Sequence, residues 1–258
     1  MRTTTSADGT PIAYDETGDG PVVVIVNGAM STAADAQELA AALAEAGFHA
    51  VTWDRRARGA SGDAAGSTPE HEVDDLAAVI AAAGGDAAVL GHSSGAVLAL
   101  LAASRGVPVR ALFLSEPPLR FGEDEPADDL AERLQAYVDE GRLDEAIVTF
   151  QLEGVGLPRE MVDGIRASDQ FAALLPLAQS TVYDTNLVRV SSTPSPEMLA
   201  VDAPVTILRG EQTFPLLLTA ADRLAEAMEG AELVVVPESV MHRPDPVATA
   251  RVIRDRLA

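Results

Sequence analysis

Val89-Leu90-Gly91-His92-Ser93-Ser94-Gly95-Ala96-Val97-Leu98 is the stretch whose reading decides the fold. An apolar run, residues 87–90, leads into it, and helix formers, residues 96–103, follow. Between them lies Gly-x-Ser-x-Gly, the pattern of a turn that holds a serine in a strained conformation at a strand-to-helix corner. The pentapeptide alone also fits a small-residue turn at a helix N-terminus. The strand–turn–helix setting favours the first reading and makes Ser93 the candidate nucleophile.

Working outward, the chain has 258 residues and is 47% hydrophobic, ample for a packed core in one large α/β domain or two small ones. No run reaches the roughly 18 apolar residues of a membrane span, and Met1-Arg2-Thr3-Thr4-Thr5 lacks the apolar core of a signal peptide, so a cytoplasmic protein is expected. With no cysteine, thiolate nucleophiles, thiolate metal sites and disulfides are excluded, and covalent chemistry falls to another residue type. The net charge of −22, with every one of the 18 basic residues an arginine, argues against nucleic acid and anionic membranes as partners. A well-solvated acidic surface is the simpler account of that charge.

Residues 3–6 and 11–16 flank Asp8-Gly9, a tight-turn dipeptide, and read as an opening hairpin. Pro21-Val22-Val23-Val24-Ile25-Val26 has no alternation, as expected of a parallel strand covered on both faces. Residues 33–46 predict a helix stopped by Gly47, and residues 50–53 the returning strand. A glycine-punctuated polar loop, residues 54–62, follows. Thr68-Pro69-Glu70 then supplies an N-cap with proline at the first helical position, for a helix to about residue 83. Residues 109–114 form another strand, closed off by Pro117-Pro118.

From about residue 119 to 199 the strand–helix alternation stops. Residues 128–140, 143–152 and 171–187 predict helices, so this segment reads as an inserted helical cap within a core of 1–118 and 200–258. Alternation resumes with strands at 204–208 and 233–236, a helix at 217–228, and a last helix capped by Asp245-Pro246. The expected architecture is α/β: one doubly wound, mostly parallel sheet.

Taken together, Asn27-Gly28-Ala29, the 54–62 loop, Gly91-His92-Ser93-Ser94-Gly95, Glu116-Pro117-Pro118 and a late His242 resemble the α/β-hydrolase fold family over essentially the whole chain. That fold hosts many chemistries, so the resemblance is far less specific for substrate than for fold. It implies a base, an acid and an oxyanion hole around Ser93. His242, in the loop after the last strand, is where the family places its base. His92 is too constrained beside the serine, while His49 and His71 read as structural. The family's usual acid position, after the strand ending near Leu208, here carries Gln212, and an amide cannot stabilise an imidazolium. Glu116, at the end of the strand after the serine's helix, is therefore preferred, followed by Glu211 and then Asp184. The backbone N–H groups of Ser94 and, by resemblance, Ala29 are the expected oxyanion donors. Asn27 stands where relatives often have histidine. Asp54, Arg55 and Arg56 read as loop-ordering charges.

The resemblance thus implies a cofactor-free, metal-free serine hydrolase acting on an ester, thioester or lactone of a small apolar molecule. Met30, His92, Phe121, Phe150 and Tyr183 are the expected substrate-facing residues, with Phe171, Leu174, Leu175 and Met198 as further pocket or packing residues. Two alternatives stay open: a lyase, cofactor-free peroxidase-like enzyme or cyclase on the same fold, or a ligand-binding relative. Ser93 at the elbow disfavours the aspartate-dependent epoxide hydrolases and dehalogenases. Homodimer formation is left open.

Overall fold

A computed structural model describes residues 1–257. The opening hairpin, β1 (Arg2–Thr5) and β2 (Pro11–Thr17), leads into β3 (Val22–Val26). A 3-10 turn at Ala33–Ala36 and α1 (Gln37–Glu45) then return the chain to β4 (His49–Trp53). After α2 (Pro69–Ala82), β5 (Ala87–His92) and α3 (Ser94–Ser104), the strand β6 (Ala111–Ser115) completes the first half. The helix expected over residues 33–46 thus opens as a 3-10 turn. There Asp35 accepts the Thr32 N–H at 2.7 Å and so satisfies one orphan donor of the first turn.

The strands form one eight-stranded sheet in the order β1-β2-β4-β3-β5-β6-β7-β8, with β7 at Val205–Arg209 and β8 at Glu232–Val235. β1–β2 and β2–β4 pair antiparallel, and every pair from β4–β3 onward is parallel. The unalternated valine run of β3 has its reason here. Val24 and Val26 pack into the apolar layer on one face, while Val23 and Ile25 pack into the layer on the other. Helices α1 and α11 (Pro246–Leu257) cover one face; α2, α3 and α10 (Pro215–Ala227) cover the other. Each residue of α3 from Ser94 to Ala102 is buried, which explains why this helix has no polar face.

Between β6 and β7 the chain is helical: α4 (Leu130–Asp139), α5 (Leu143–Thr149), α6 (Arg159–Arg166), α7 (Phe171–Leu174), α8 (Ala178–Ser191) and α9 (Pro196–Leu199). Two expected helices are broken up. The second runs on as a π-helical turn, Phe150–Val155, ended by Gly156 at φ +81°. The third is interrupted at Leu175–Leu177, where Pro176 has no N–H to continue an α-helical ladder. Leu130, Leu134, Ile147, Phe150, Phe171 and Tyr183 gather into an apolar cluster separate from the two sheet-face layers. Among the described residues no helix is long and apolar enough to cross a membrane.

Candidate active site

Ser93 sits between β5 and α3 with φ 55° and ψ −128°, a conformation that L-residues avoid. The flanking glycines are needed for close approach. A Cβ on Gly91 would lie 2.5 Å from the Ala96 Cα, and one on Gly95 would lie 2.1 Å from the Val26 carbonyl oxygen. Glu116 (φ 49°) and His242 (φ 62°) share the left-handed backbone region. Strained non-glycine residues therefore concentrate where β5, β6 and the post-β8 loop end together, a pattern found at functional sites.

His242 Nδ1 and Glu116 Oε2 are 2.5 Å apart. The carboxylate is further held by the Gly210 N–H at 2.9 Å and the Thr213 hydroxyl at 3.0 Å. The loop after β7 thus hydrogen-bonds the Glu116 carboxylate, while its own Glu211 and Gln212 are exposed and Gln212 contributes its carbonyl to the Met241 N–H at 2.7 Å. A Cβ at Gly210 would stand 2.2 Å from the Ser239 carbonyl oxygen, so only glycine lets these two loops meet. Burial pushes the Glu116 carboxyl up, but the hydrogen bonds from His242, Gly210 and Thr213 outweigh it and leave its pKa below the ordinary value.

The His92 ring lies against the His242 ring, centroids 4.5 Å apart. Burial, with the nearby His242 adding to it, draws the His92 pKa down to about 3. His92, Glu116 and His242 each bring a ligand-type atom within 4.8 Å of the others, a spacing that could also hold a cation. Two of these three side chains are already engaged in the His242–Glu116 hydrogen bond.

A cavity of about 760 Å³ opens over Ser93, bordered by Ala29, Ser94, His242, Phe214 and the inner faces of the helices between β6 and β7. Neither the Ala29 nor the Ser94 backbone N–H donates to an acceptor among the described residues. Of the expected substrate-facing residues, Phe150 borders the cavity; the other four are placed elsewhere. Met30 and Tyr183 pack in or against the apolar cluster of the inserted helices, and the Tyr183 hydroxyl donates to the Asp63 carboxylate at 2.9 Å. Phe121 packs against the sheet-face layer beneath the Arg223 guanidinium, and His92 lies behind His242. Phe171, Leu174 and Leu175 belong to the insertion's own cluster, and Met198 to the sheet-face layer. The apolar lining comes instead from Val155, Leu157, Met161, Val188, Phe214 and Leu216. The sequence does not single these residues out, because they come from three separate helices (Met161, Val188, Leu216) and the turns beside them, and which face of each helix meets the cavity is set only when the helices pack together.

Asp184, the third acid considered, is far from idle. It is 1% exposed and receives Arg55 Nη1 at 2.9 Å, Arg58 Nη2 at 2.7 Å and the Ser94 hydroxyl at 2.7 Å. Arg55 also binds Glu72, and Arg56 makes a two-pronged pair with Asp75, so the loop-ordering reading of Arg55 and Arg56 matches their geometry. Asp54 instead accepts the Ala33 N–H at 2.7 Å and the Ala60 N–H at 2.8 Å. His71 caps α2 by accepting the Thr68 N–H at 3.0 Å, and His49 lies 3.8 Å from Glu16.

A mostly parallel sheet of this order, with a strained serine after β5 and a histidine–carboxylate pair at the neighbouring strand ends, defines the α/β-hydrolase class. A family model described as "Serine aminopeptidase, S33" matches residues 20–155, more than half of the chain. An α/β hydrolase from Sphaerobacter thermophilus DSM 20745 superimposes with a TM-score of 0.90, at 36% identity over 100% of both chains. The chain belongs to the α/β-hydrolase family. Two more distant structures share the fold. One is the enol-lactonase from Burkholderia xenovorans LB400 (TM-score 0.70, 18% identity, covering 99% of this chain and 98% of that one). The other is an esterase from Rhodococcus sp. ECU1013 (TM-score 0.65, 23% identity, 99% and 98%). None of the curated proteins compared matches the chain.

Proposed function

We propose that this protein is a serine hydrolase that cleaves an ester, thioester or lactone of a small, largely apolar molecule through an acyl-enzyme on Ser93. The observation that carries the reading is the 2.5 Å contact of His242 Nδ1 with Glu116, on a histidine that borders the same cavity as Ser93. Hydrogen bonding at Nδ1 leaves Nε2 as the acceptor for the Ser93 proton, the tautomer that a general base requires. Ser93 attacks the carbonyl, His242 takes its proton and returns it to the leaving group, and Glu116 stabilises the imidazolium. The Ala29 and Ser94 N–H groups hold the oxyanion. Water, deprotonated by His242, then releases the acid and regenerates Ser93.

The helices between β6 and β7 act as a cap that shapes the acyl pocket, whose lining is predominantly apolar side chains. Esterase and lactonase activities of structures with the same fold are compatible with this carbonyl chemistry. The test is intact-protein mass spectrometry after exposure to a fluorophosphonate, beside turnover of p-nitrophenyl esters. Labelling and turnover that both vanish in Ser93→Ala support the reading; a folded protein that neither labels nor turns over ester overturns it and brings the lyase and ligand-binding readings forward.

A further inference from the structure

We infer that the buried Arg55–Arg58–Asp184 cluster is the device that orients both oxyanion donors, with a carboxylate from the helical insertion setting the catalytic geometry of the core. The inference rests on the reading of Ala29 and Ser94 as those donors.

Arg58 Nη1 donates to the Gly28 carbonyl at 2.6 Å, and Arg55 Nη1 to the Asn27 carbonyl at 3.3 Å. A trans peptide is planar, with its C=O and the next N–H pointing in opposite directions. By gripping the Gly28 oxygen, Arg58 therefore turns the Ala29 N–H away from itself. That peptide lies against the nucleophile, since a Cβ on Gly28 would be 2.8 Å from the Ser93 Cβ. On the other side, the Ser94 hydroxyl donates to Asp184 Oδ1 and accepts from Arg55 Nη1 at 3.1 Å, tethering the residue whose N–H is the second donor. Asp184 is the common anchor. One oxygen takes Arg58, and the other takes Arg55 and Ser94.

The chemistry suits a fixed device. The side chains of Arg55, Arg58 and Asp184 are at most 1% exposed, and with Glu72, equally buried and 2.7 Å from Arg55 Nη2, the two guanidinium groups face two carboxyl groups inside the fold and cannot drift into water. Burial raises the Asp184 pKa, but the two guanidinium charges and the Ser94 hydrogen bond bring it below the ordinary value, so the anchor is ionised at neutral pH. A planar guanidinium can bridge Gly28 and Asp184 at once, whereas an ammonium on a flexible stem cannot reproduce that fork. Asp184 lies on α8, 126 residues from Arg58 in sequence, so the helical insertion and the oxyanion loop are locked as one unit.

Arg58, Arg55 and Asp184 are positioning residues, and the test separates positioning from mere folding. Arg58→Lys, Arg58→Gln and Asp184→Asn are compared with wild type by kcat and KM on a p-nitrophenyl ester, normalised to the fraction of Ser93 labelled by fluorophosphonate. Affinities for a trifluoromethyl ketone and for the product carboxylate are measured in parallel. The expected result is a fall in kcat of about 10- to 100-fold with KM changed less than about twofold. Ketone affinity falls in step while product affinity holds. Arg58→Lys, which keeps the charge facing Asp184, loses kcat almost as Arg58→Gln does. If Asp184→Asn does not fold, the Arg58 pair decides. Folded variants that keep wild-type kcat per labelled site, or lose ketone and product affinity equally, overturn the inference while leaving the serine-hydrolase reading intact. A wild type that neither labels nor turns over defeats that reading instead.

Discussion

Glu116 accepts from His242 across 2.5 Å, although 126 residues separate them and the loop after β7, which lies between them in sequence, offers its own glutamate. The loop turns Glu211 outward and gives Glu116 the Gly210 N–H and the Thr213 hydroxyl instead. Replacing Glu116 by Gln should lower kcat on the order of 10³-fold, because an amide no longer favours the required imidazole tautomer or its charged form. Glu211→Gln should stay within about twofold. Steady-state kinetics on the same ester, with circular dichroism as the folding control, checks both.

The Glu116 carboxyl has a folded pKa below its ordinary 4.5, so its contribution to stability is complete above that value and is lost as pH falls through the folded one. Thermal melting of wild type and Glu116→Gln should therefore converge only on the acid side. A gap between the two curves that persists unchanged well below pH 4.5 would contradict the assignment.

His92 should remain neutral in the folded protein at every pH well above about 3. Its pKa of about 3 lies below the 6.5 of an unfolded chain, so the unfolded state binds the extra proton between those values and stability rises with pH across that window. With only four histidines in the chain, proton NMR can follow each imidazole. One resonance, lost in His92→Asn, should show no titration between pH 5 and 8.

Gly95→Ala should destabilise the fold by at least about 2 kcal/mol in urea denaturation, because the new methyl meets the Val26 carbonyl oxygen at 2.1 Å and the backbone has nowhere to retreat. Gly106→Ala, where nothing stands within 4 Å, should cost only the strain of its positive φ. The contrast separates close approach from conformational freedom.

Val188→Trp should narrow, from α8, the cavity that opens over Ser93. Its kcat/KM for p-nitrophenyl esters of long acyl chains should fall about 10-fold relative to acetate, the range that one or two apolar contacts supply. An equal loss for acetate would mean that Val188 shapes the fold rather than the pocket.

The strand–helix alternation, the strained serine turn and the histidine after the last strand were legible because each is a local matter. Burial on both faces writes an unbroken valine run into β3, and close approach demands glycine at Gly91 and Gly95. The surroundings of Glu116 were half legible. Gln212 at the usual position argued against that loop, but only folding shows the Gly210 N–H and Thr213 turned toward Glu116.

What the sequence by itself determined was the architecture of the sheet and the elbow at Ser93, since side-chain periodicity and turn chemistry act within a few residues. The tertiary structure alone decided which charges meet and which side chains face the cavity. Asp184 reads from the sequence only as a third candidate for the acid until α8 lies over the elbow, where burial leaves it no partner except Arg55, Arg58 and Ser94. Tyr183, its neighbour on the same helix, is turned by that packing into the insertion's own core and away from the pocket. A buried charge selects its partner by geometry and desolvation, and neither exists before the distant segments have come together.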